Sequence, residues 1–109
     1  MTTTIKNNEL PFKLTELGLL DVSAIWCGPC RIIAPIIEEI SDEIQDITVA
    51  TCDIDDNPQI AIDYGIRSVP TFIFFKNGVE VDRMVGAVSK KKLVDKIDEN
   101  LLKHEEVMA

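Results

Sequence analysis

The chain has 109 residues, of which 46% are apolar and 28% are charged. These values fit one ordinary domain and exclude a disordered or collagen-like chain. Nineteen Asp and Glu against eleven Lys and Arg leave a net charge of −8, which argues against a nucleic-acid partner because phosphate binding needs a cationic face. The longest uncharged run, Val22 to Cys30, is too short to cross a membrane, and residues 1–9 lack the apolar stretch of a secretory signal.

Three cysteines are too few for a disulfide scaffold, and their number is odd. This usage is typical of a reducing compartment, where a cysteine pair is kept for chemistry. We therefore expect a cytoplasmic protein. We also expect a monomer.

The apolar pattern changes period along the chain, which predicts alternating strands and helices. Residues 1–16 are difficult to assign: Thr2 to Ile5 could form a short strand, and Pro11 breaks any helix that would continue through it. The segment Leu17 to Ile25 is almost wholly apolar and predicts a buried strand that carries one misplaced carboxylate, Asp21.

The segment after Cys30 predicts a long amphipathic helix, because isoleucines recur at helical spacing and acidic residues lie between them. We expect a kink at Pro35. Ile47 to Ile54 predicts a second buried strand. Asn57-Pro58 then opens a short helix, and Gly65 lies just past its end.

Asn77-Gly78 between two apolar runs predicts a two-residue hairpin. Thr71 to Lys76 and Val79 to Val85 are its two strands. Ser89 can cap a final helix that runs to about His104.

Residues 105–109 are expected to form a frayed tail. The order strand, helix, strand, helix, hairpin, helix predicts an α/β fold with a central mixed sheet and helices on both faces. We assign residues 1–109 to a single domain.

Cys27-Gly28-Pro29-Cys30 lies at the junction of a predicted strand and a predicted helix. A thiol at the start of a helix meets unpaired backbone N–H groups and the positive end of the helix dipole, and both favour the thiolate that attacks disulfides. We expect Cys27 to be exposed and Cys30 to be shielded. Cys27 would attack a substrate disulfide, and Cys30 would then attack Cys27 and release the reduced substrate.

Asp21, six residues before Cys27, is the candidate proton acceptor for this exchange. Burial on an apolar strand should raise its pKa and suit it to proton exchange near neutrality. Alternatively, Asp21 is a strand-end residue satisfied by backbone groups or water.

A lone CxxC motif also occurs in zinc sites, but a structural zinc site needs four ligands. Cys52 and His104 are the other soft candidates, on a strand and near the end of a helix. Cys52 can also be a small core residue or a regulatory thiol, and Val69-Pro70 can be an ordinary strand start.

Several motifs together resemble the thioredoxin family over about residues 17–103. They are Trp26-Cys27-Gly28-Pro29-Cys30, Asp21, Ala34-Pro35, Asp53-Ile54-Asp55, Tyr64-Gly65-Ile66-Arg67, Val69-Pro70-Thr71, Phe75-Lys76-Asn77-Gly78 and Val85-Gly86-Ala87. The resemblance implies a thioredoxin fold and a protein-disulfide reductase that is re-reduced by an NADPH-dependent thioredoxin reductase. It implies no bound cofactor and no metal.

The resemblance also implies that the Val69-Pro70 peptide bond is cis and faces Cys27. Oxidised protein substrates would pair, strand-like, with the bared backbone of Val69. The apolar contact surface for them would consist of Trp26, Gly28, Pro29, Val69, Pro70, Gly86 and Ala87.

The sequence departs from the family pattern in four places. Val22-Ser23 replaces an aromatic pair, Thr51 takes the position of a lysine, Cys52 is unusual, and the segment before Asp21 is short. Without the neighbouring ammonium group, Asp21 should titrate at a higher pH, and the small Ser23 should leave the active-site loop looser.

Two other functions are compatible with the motif: a thiol oxidant or isomerase on the same fold, and a non-enzymatic thioredoxin-like subunit of another protein. The Gly-Pro dipeptide between the cysteines resembles reductants, whereas oxidants and isomerases usually carry a histidine there.

Overall fold

The computed structural model describes residues 1–12 and 17–108, with side chains described as far as residue 103. The strands in these ranges are β1 (Thr3–Thr4), β2 (Leu17–Ser23), β3 (Ile47–Asp53), β4 (Thr71–Lys76) and β5 (Val79–Val85). The helices are α1 (Gly28–Glu43), α2 (Pro58–Asp63) and α3 (Lys90–Met108). No helix in these ranges is both long and apolar enough to cross a membrane.

The strands form one sheet in the order β1-β3-β2-β4-β5. β3 is parallel to β1 and β2, whereas β4 is antiparallel to β2 and β5. The predicted central mixed sheet is therefore confirmed. Its register places Asp21 beside Thr51 on one neighbouring strand and beside Phe72 on the other.

β2 is central because it has an almost uninterrupted apolar sequence, as strands buried on both faces do. On one face of the sheet, Leu19 and Phe74 pack with isoleucines of α1 and with Leu93 and Ile97 of α3. On the other face, Leu20 and neighbouring apolar residues pack with α2. Helices therefore cover both faces, as predicted.

The amino-terminal strand is confirmed, since Thr3 and Thr4 pair with β3. A turn follows in which Asn7 and Asn8 have φ values of 54° and 58°, a left-handed conformation that Asn tolerates better than most residues. The Asn8 Oδ1 atom accepts hydrogen bonds from the backbone N–H groups of Gln59 and Ile60, at 3.0 and 3.3 Å. Asn8 thereby caps α2 from a distant part of the chain.

Asn57 precedes α2 as predicted, but its side chain makes no capping bond to that helix. Its Oδ1 atom accepts a bond from the backbone N–H of Asn8 at 2.9 Å instead. Its amide group donates to the carbonyl oxygens of Ile5 and Asp53. The buried side chain of Asn57 thus ties the amino-terminal segment to the start of α2.

Phe12 covers part of the sheet face that packs against α2. Its ring stacks on Phe75, with 4.9 Å between the ring centroids, and it lies directly over Gly18. A Cβ atom on Gly18 would collide with the ring of Phe12. Close packing against Phe12 therefore explains the glycine at the second position of β2.

The predicted boundaries differ from the observed ones in four places. β1 covers Thr3–Thr4 and not the whole of Thr2 to Ile5. β2 ends at Ser23 rather than Ile25, because a turn follows in which the Cys27 N–H donates to the Ala24 carbonyl oxygen at 3.1 Å. β3 likewise stops one residue earlier than predicted. α3 continues past His104 to Met108, so residues 105–108 are helical rather than a tail. Residues 105–108 contain neither Gly nor Pro, so the sequence of this segment has no signal that ends the helix.

The other local signals were predicted correctly. The hairpin strands have the predicted bounds, and Asn77 and Gly78 have φ values of 55° and 76°, as a two-residue turn of this type requires. Ser89 Oγ accepts a hydrogen bond from the Lys92 N–H at 3.2 Å, which confirms the cap of α3. α1 runs through Pro35 as one element, and the kink stays a prediction.

Candidate active site

Cys27 and Cys30 form a disulfide at the amino terminus of α1, and their Cα atoms are 5.3 Å apart. Cys27 is the residue that caps the helix: its backbone is extended, and its Sγ atom accepts a hydrogen bond from the Cys30 N–H at 3.2 Å. Pro29 lies in the first turn, where the backbone N–H that proline lacks would have no partner within the helix. The predicted position of the motif at a strand-to-helix junction is therefore confirmed.

The expectation that Cys27 is exposed is wrong for the disulfide form. Cys27 is 5% exposed and Cys30 is 4% exposed. Ala24, Ile54 and Val69 pack around the pair. The two cysteines differ in their neighbours rather than in their burial.

The loop before β4 lies against Cys27. The Val69-Pro70 peptide bond is cis, as the resemblance implies. The Cys27 Sγ atom is 3.7 Å from the carbonyl oxygen of Val69. The Gly86 N–H donates to the Pro70 carbonyl oxygen at 2.8 Å, so the segment after β5 also reaches this loop.

Trp26 borders a small groove beside this loop. It is 63% exposed, and its indole N–H donates to Asp55 Oδ2 at 2.9 Å. The groove has a volume of about 80 Å³ and is lined by Trp26, Ile54, Ile66, Arg67, Ser68 and Val69.

Sequence reasoning did not assign Ile54, Ile66, Arg67 or Ser68 to the site. The signal for three of them was present, since Ile54, Ile66 and Arg67 belong to motifs that carry the family resemblance. Gly28 and Pro29 do not line the groove.

Asp21 is 3% exposed, and burial raises its pKa from 3.8 to about 7. The direction of this change agrees with the prediction. Among the described residues, the Oδ1 atom of Asp21 has no hydrogen-bond partner. Backbone groups of the described residues therefore do not satisfy this oxygen atom, and the alternative in which water does so stays a prediction.

Thr51 lies beside Asp21 in the register of β2 and β3, at the position where the family resemblance expects a lysine. Burial is the cause of the raised pKa of Asp21, and no cation among the described residues lowers it. The effect of a lysine at this position on the pKa of Asp21 stays a prediction.

Cys52 is fully buried and free. Burial raises the pKa of its thiol to about 11, and the negative charges of Asp53 and Asp21 add to this effect. Cys52 is therefore a protonated core residue at neutral pH. Within the described residues, no group of three His, Cys, Asp or Glu is placed to hold a metal ion, and the side chain of His104 lies outside them.

The thioredoxin family model matches residues 4–99. Thioredoxin 1 from Synechococcus elongatus is 46% identical over 84 residues, which are 76% of this chain and 78% of that protein. Thioredoxin from Porphyra purpurea is 47% identical over 88 residues, which are 80% of this chain and 77% of that protein.

Solved structures agree with the sequence comparisons. The X-ray structure of Fasciola hepatica thioredoxin has a TM-score of 0.74 and 42% identity, and the match covers 78% of this chain and 81% of that one. A mutant thioredoxin from Halobacterium salinarum has a TM-score of 0.82 and 32% identity, covering 90% and 88% of the two chains. With the same fold and a Cys-Gly-Pro-Cys disulfide at the start of a helix, the chain belongs to the thioredoxin family.

Proposed function

We propose that this chain reduces disulfide bonds in other proteins, with Cys27 as the attacking residue and Cys30 as the resolving residue. The observation that carries the proposal is the Cys27–Cys30 pair at the start of α1 in a member of the thioredoxin family. Thiol-disulfide oxidoreductase activity by dithiol–disulfide exchange is the activity of that family.

The position of Cys27 suits it to the first step. Its sulfur accepts the Cys30 N–H, and a thiolate there would gain the same hydrogen bond and the favourable end of the helix dipole. The thiolate attacks one sulfur of the substrate disulfide, forms a mixed disulfide, and releases the other substrate sulfur as a thiolate. We propose that a substrate segment pairs with the backbone of Val69, and the short distance from the Cys27 Sγ atom to the Val69 carbonyl oxygen supports this position.

Cys30 performs the second step by attacking Cys27, which releases the reduced substrate and restores the Cys27–Cys30 disulfide. The thiol of Cys30 must lose a proton to do so. Asp21 is the proposed acceptor, because burial brings its pKa to about 7 and its Oδ1 atom has no partner among the described residues.

The proposed substrate surface surrounds Cys27. Its residues are Trp26, Gly28, Pro29, Val69, Pro70, Gly86 and Ala87. Two observations support this surface. The apolar side chain of Trp26 is exposed next to Cys27. The hydrogen bond between Gly86 and Pro70 holds the segment after β5 against the loop before β4.

The proposed partners are a thioredoxin reductase, which would supply electrons from NADPH, and oxidised proteins. We propose that the protein acts as a monomer in the cytoplasm without a bound cofactor or metal, and that it binds no nucleic acid. The net charge of −8 supports the last point.

Reduction of insulin disulfides in the presence of NADPH and a thioredoxin reductase tests the proposal. The wild-type protein should turn over, Cys27→Ser should abolish turnover, and Cys30→Ser should accumulate a covalent mixed disulfide with its target. Full cellular function in both serine variants would contradict it and favour a non-enzymatic subunit. Equilibration with a glutathione buffer would reveal an oxidant instead, by a less reducing potential.

A further inference from the structure

Thr71, the first residue of β4, carries a buried hydroxyl group that the proposed function does not use. The residue is 2% exposed, and the rest of β4 up to Phe75 is apolar and buried. The Thr71 Oγ1 atom donates a hydrogen bond to the carbonyl oxygen of Ser68 at 2.7 Å. A buried hydroxyl group without a partner costs free energy, so this bond is what makes a polar side chain acceptable at the start of β4.

Packing alone does not explain the hydroxyl group. Valine has nearly the same shape as threonine and suits a buried strand equally well. The backbone of Thr71 is fixed by the sheet, where it pairs with Val22 of β2 and with Val85 of β5. Ser68, by contrast, is exposed and lies outside the strands. The hydroxyl group therefore ties an exposed loop residue to a fixed point of the sheet.

The hydrogen bonds of this loop lie on both sides of Val69. The carbonyl oxygen of Ser68 accepts the hydroxyl group, and that of Pro70 accepts the backbone N–H of Gly86 at 2.8 Å. Between these two anchored carbonyl groups, the Val69 carbonyl oxygen lies 3.7 Å from the Cys27 Sγ atom. The two bonds thus fix the direction in which Val69 presents its backbone to the active site.

We infer that Thr71 is a positioning residue for protein substrates: its hydroxyl group holds the Ser68 carbonyl so that the Val69 backbone is ready to pair with a substrate segment. The inference rests on the proposed function, because that pairing is part of it. Without the hydroxyl group, water can donate to the exposed Ser68 carbonyl instead, so the loop loses a fixed position. A pre-organised loop loses less conformational freedom when a substrate binds.

The consequence is a distinction between two kinds of disulfide. With either kind, the Cys27 thiolate forms a bond to one substrate sulfur, the substrate S–S bond breaks, and the other sulfur leaves as a thiolate. Only a disulfide in a polypeptide also has a backbone that can pair with Val69. Loss of the Thr71 hydroxyl group should therefore slow the reaction with protein disulfides and leave the reaction with small disulfides nearly unchanged.

The test compares insulin with 2-hydroxyethyl disulfide, which has no peptide backbone. The Cys30→Ser protein is the parent, because the mixed disulfide on Cys27 accumulates in it. Mass spectrometry of this mixed disulfide gives the two second-order rate constants at one pH, and the readout is their ratio, insulin over 2-hydroxyethyl disulfide. Both reactions use the same thiolate, so a change in the fraction of thiolate cancels in the ratio.

Thr71→Val should lower this ratio about three- to tenfold, the effect of one lost hydrogen bond. Thr71→Ser keeps the hydroxyl group and should stay within about twofold of the parent protein. Asn100→Ala is the matched control and should leave the ratio unchanged, because Asn100 is also buried but its amide group donates to Asp82 and to the Lys96 carbonyl, away from the loop. Thr71→Ala, which also lacks the hydroxyl group, replaces Thr71→Val if thermal unfolding shows that the latter does not fold.

An unchanged ratio in Thr71→Val would overturn the inference, and so would a Thr71→Ser variant whose ratio falls as far as that of Thr71→Val. A parent protein whose Cys27 reacts with neither disulfide would contradict the proposed function, and the inference with it. Failure of the inference alone is recognised by a parent protein that reacts readily with insulin.

Discussion

The buried carboxyl group of Asp21 should make the stability of the folded chain depend on pH, and Asp21→Asn should remove that dependence. Burial raises the pKa of Asp21 from 3.8, the value expected in the unfolded chain, to about 7. The folded chain therefore holds the proton more tightly. The resulting stabilisation is complete below pH 3.8 and is lost as the pH rises through about 7.

The expected magnitude follows from the width of this interval. Above pH 5, about two pH units separate the starting pH from the folded-state pKa of Asp21. Each of these pH units lowers the free energy of unfolding by about 1.4 kcal/mol. The free energy of unfolding of the wild-type protein should thus fall by about 3 kcal/mol relative to Asp21→Asn over that range. A constant offset between the two proteins, from the changed hydrogen-bonding of the amide, does not affect this comparison.

The assay is urea unfolding of the oxidised proteins at about pH 5, 7 and 9, with Asp98→Asn as the control because Asp98 is exposed on α3. The control should follow the wild-type protein at every pH. A difference between Asp21→Asn and the wild-type protein that stays constant across this range would refute the reasoning.

Three further substitutions test other contacts. Thr51→Lys should lower the pKa of Asp21, because an ammonium group beside the carboxyl favours its charged form, and an unmoved carboxyl titration in NMR spectra of the reduced protein would contradict this. Gly18→Ala should destabilise the fold by about 1–3 kcal/mol through overpacking against Phe12, and urea unfolding with an unchanged midpoint would contradict it. Asn8→Ala should cost about 1 kcal/mol in urea unfolding because α2 loses its cap. Asn8→Asp, which keeps an acceptor there, should cost less, and equal losses would argue against capping.

Local signals were sufficient for much of the fold. Asn77-Gly78 determines the hairpin because its two residues adopt the required φ values by themselves. The Cys27-to-Cys30 motif could be placed at a helix start because an apolar strand precedes it and a helical pattern follows. The burial of Asp21 followed from its position within an apolar run.

Long-range contacts account for what was missed. The cap of α2 comes from Asn8, about fifty positions earlier in the chain, and no local pattern could assign it. The burial of Cys27 depends in part on the Val69 loop, which follows in the chain only after two helices and one strand, α1, β3 and α2.

The helix cap formed by Cys27 joins two properties that are usually separate. The same sulfur atom anchors the first turn of α1 and exchanges electrons. A negatively charged sulfur accepts a stronger hydrogen bond than a neutral one. Reduction of the disulfide to a Cys27 thiolate therefore stabilises the first turn of α1. By thermodynamic reciprocity, any substitution that weakens the first turn of α1 should also lower the electron affinity of the disulfide, even when it touches neither cysteine side chain.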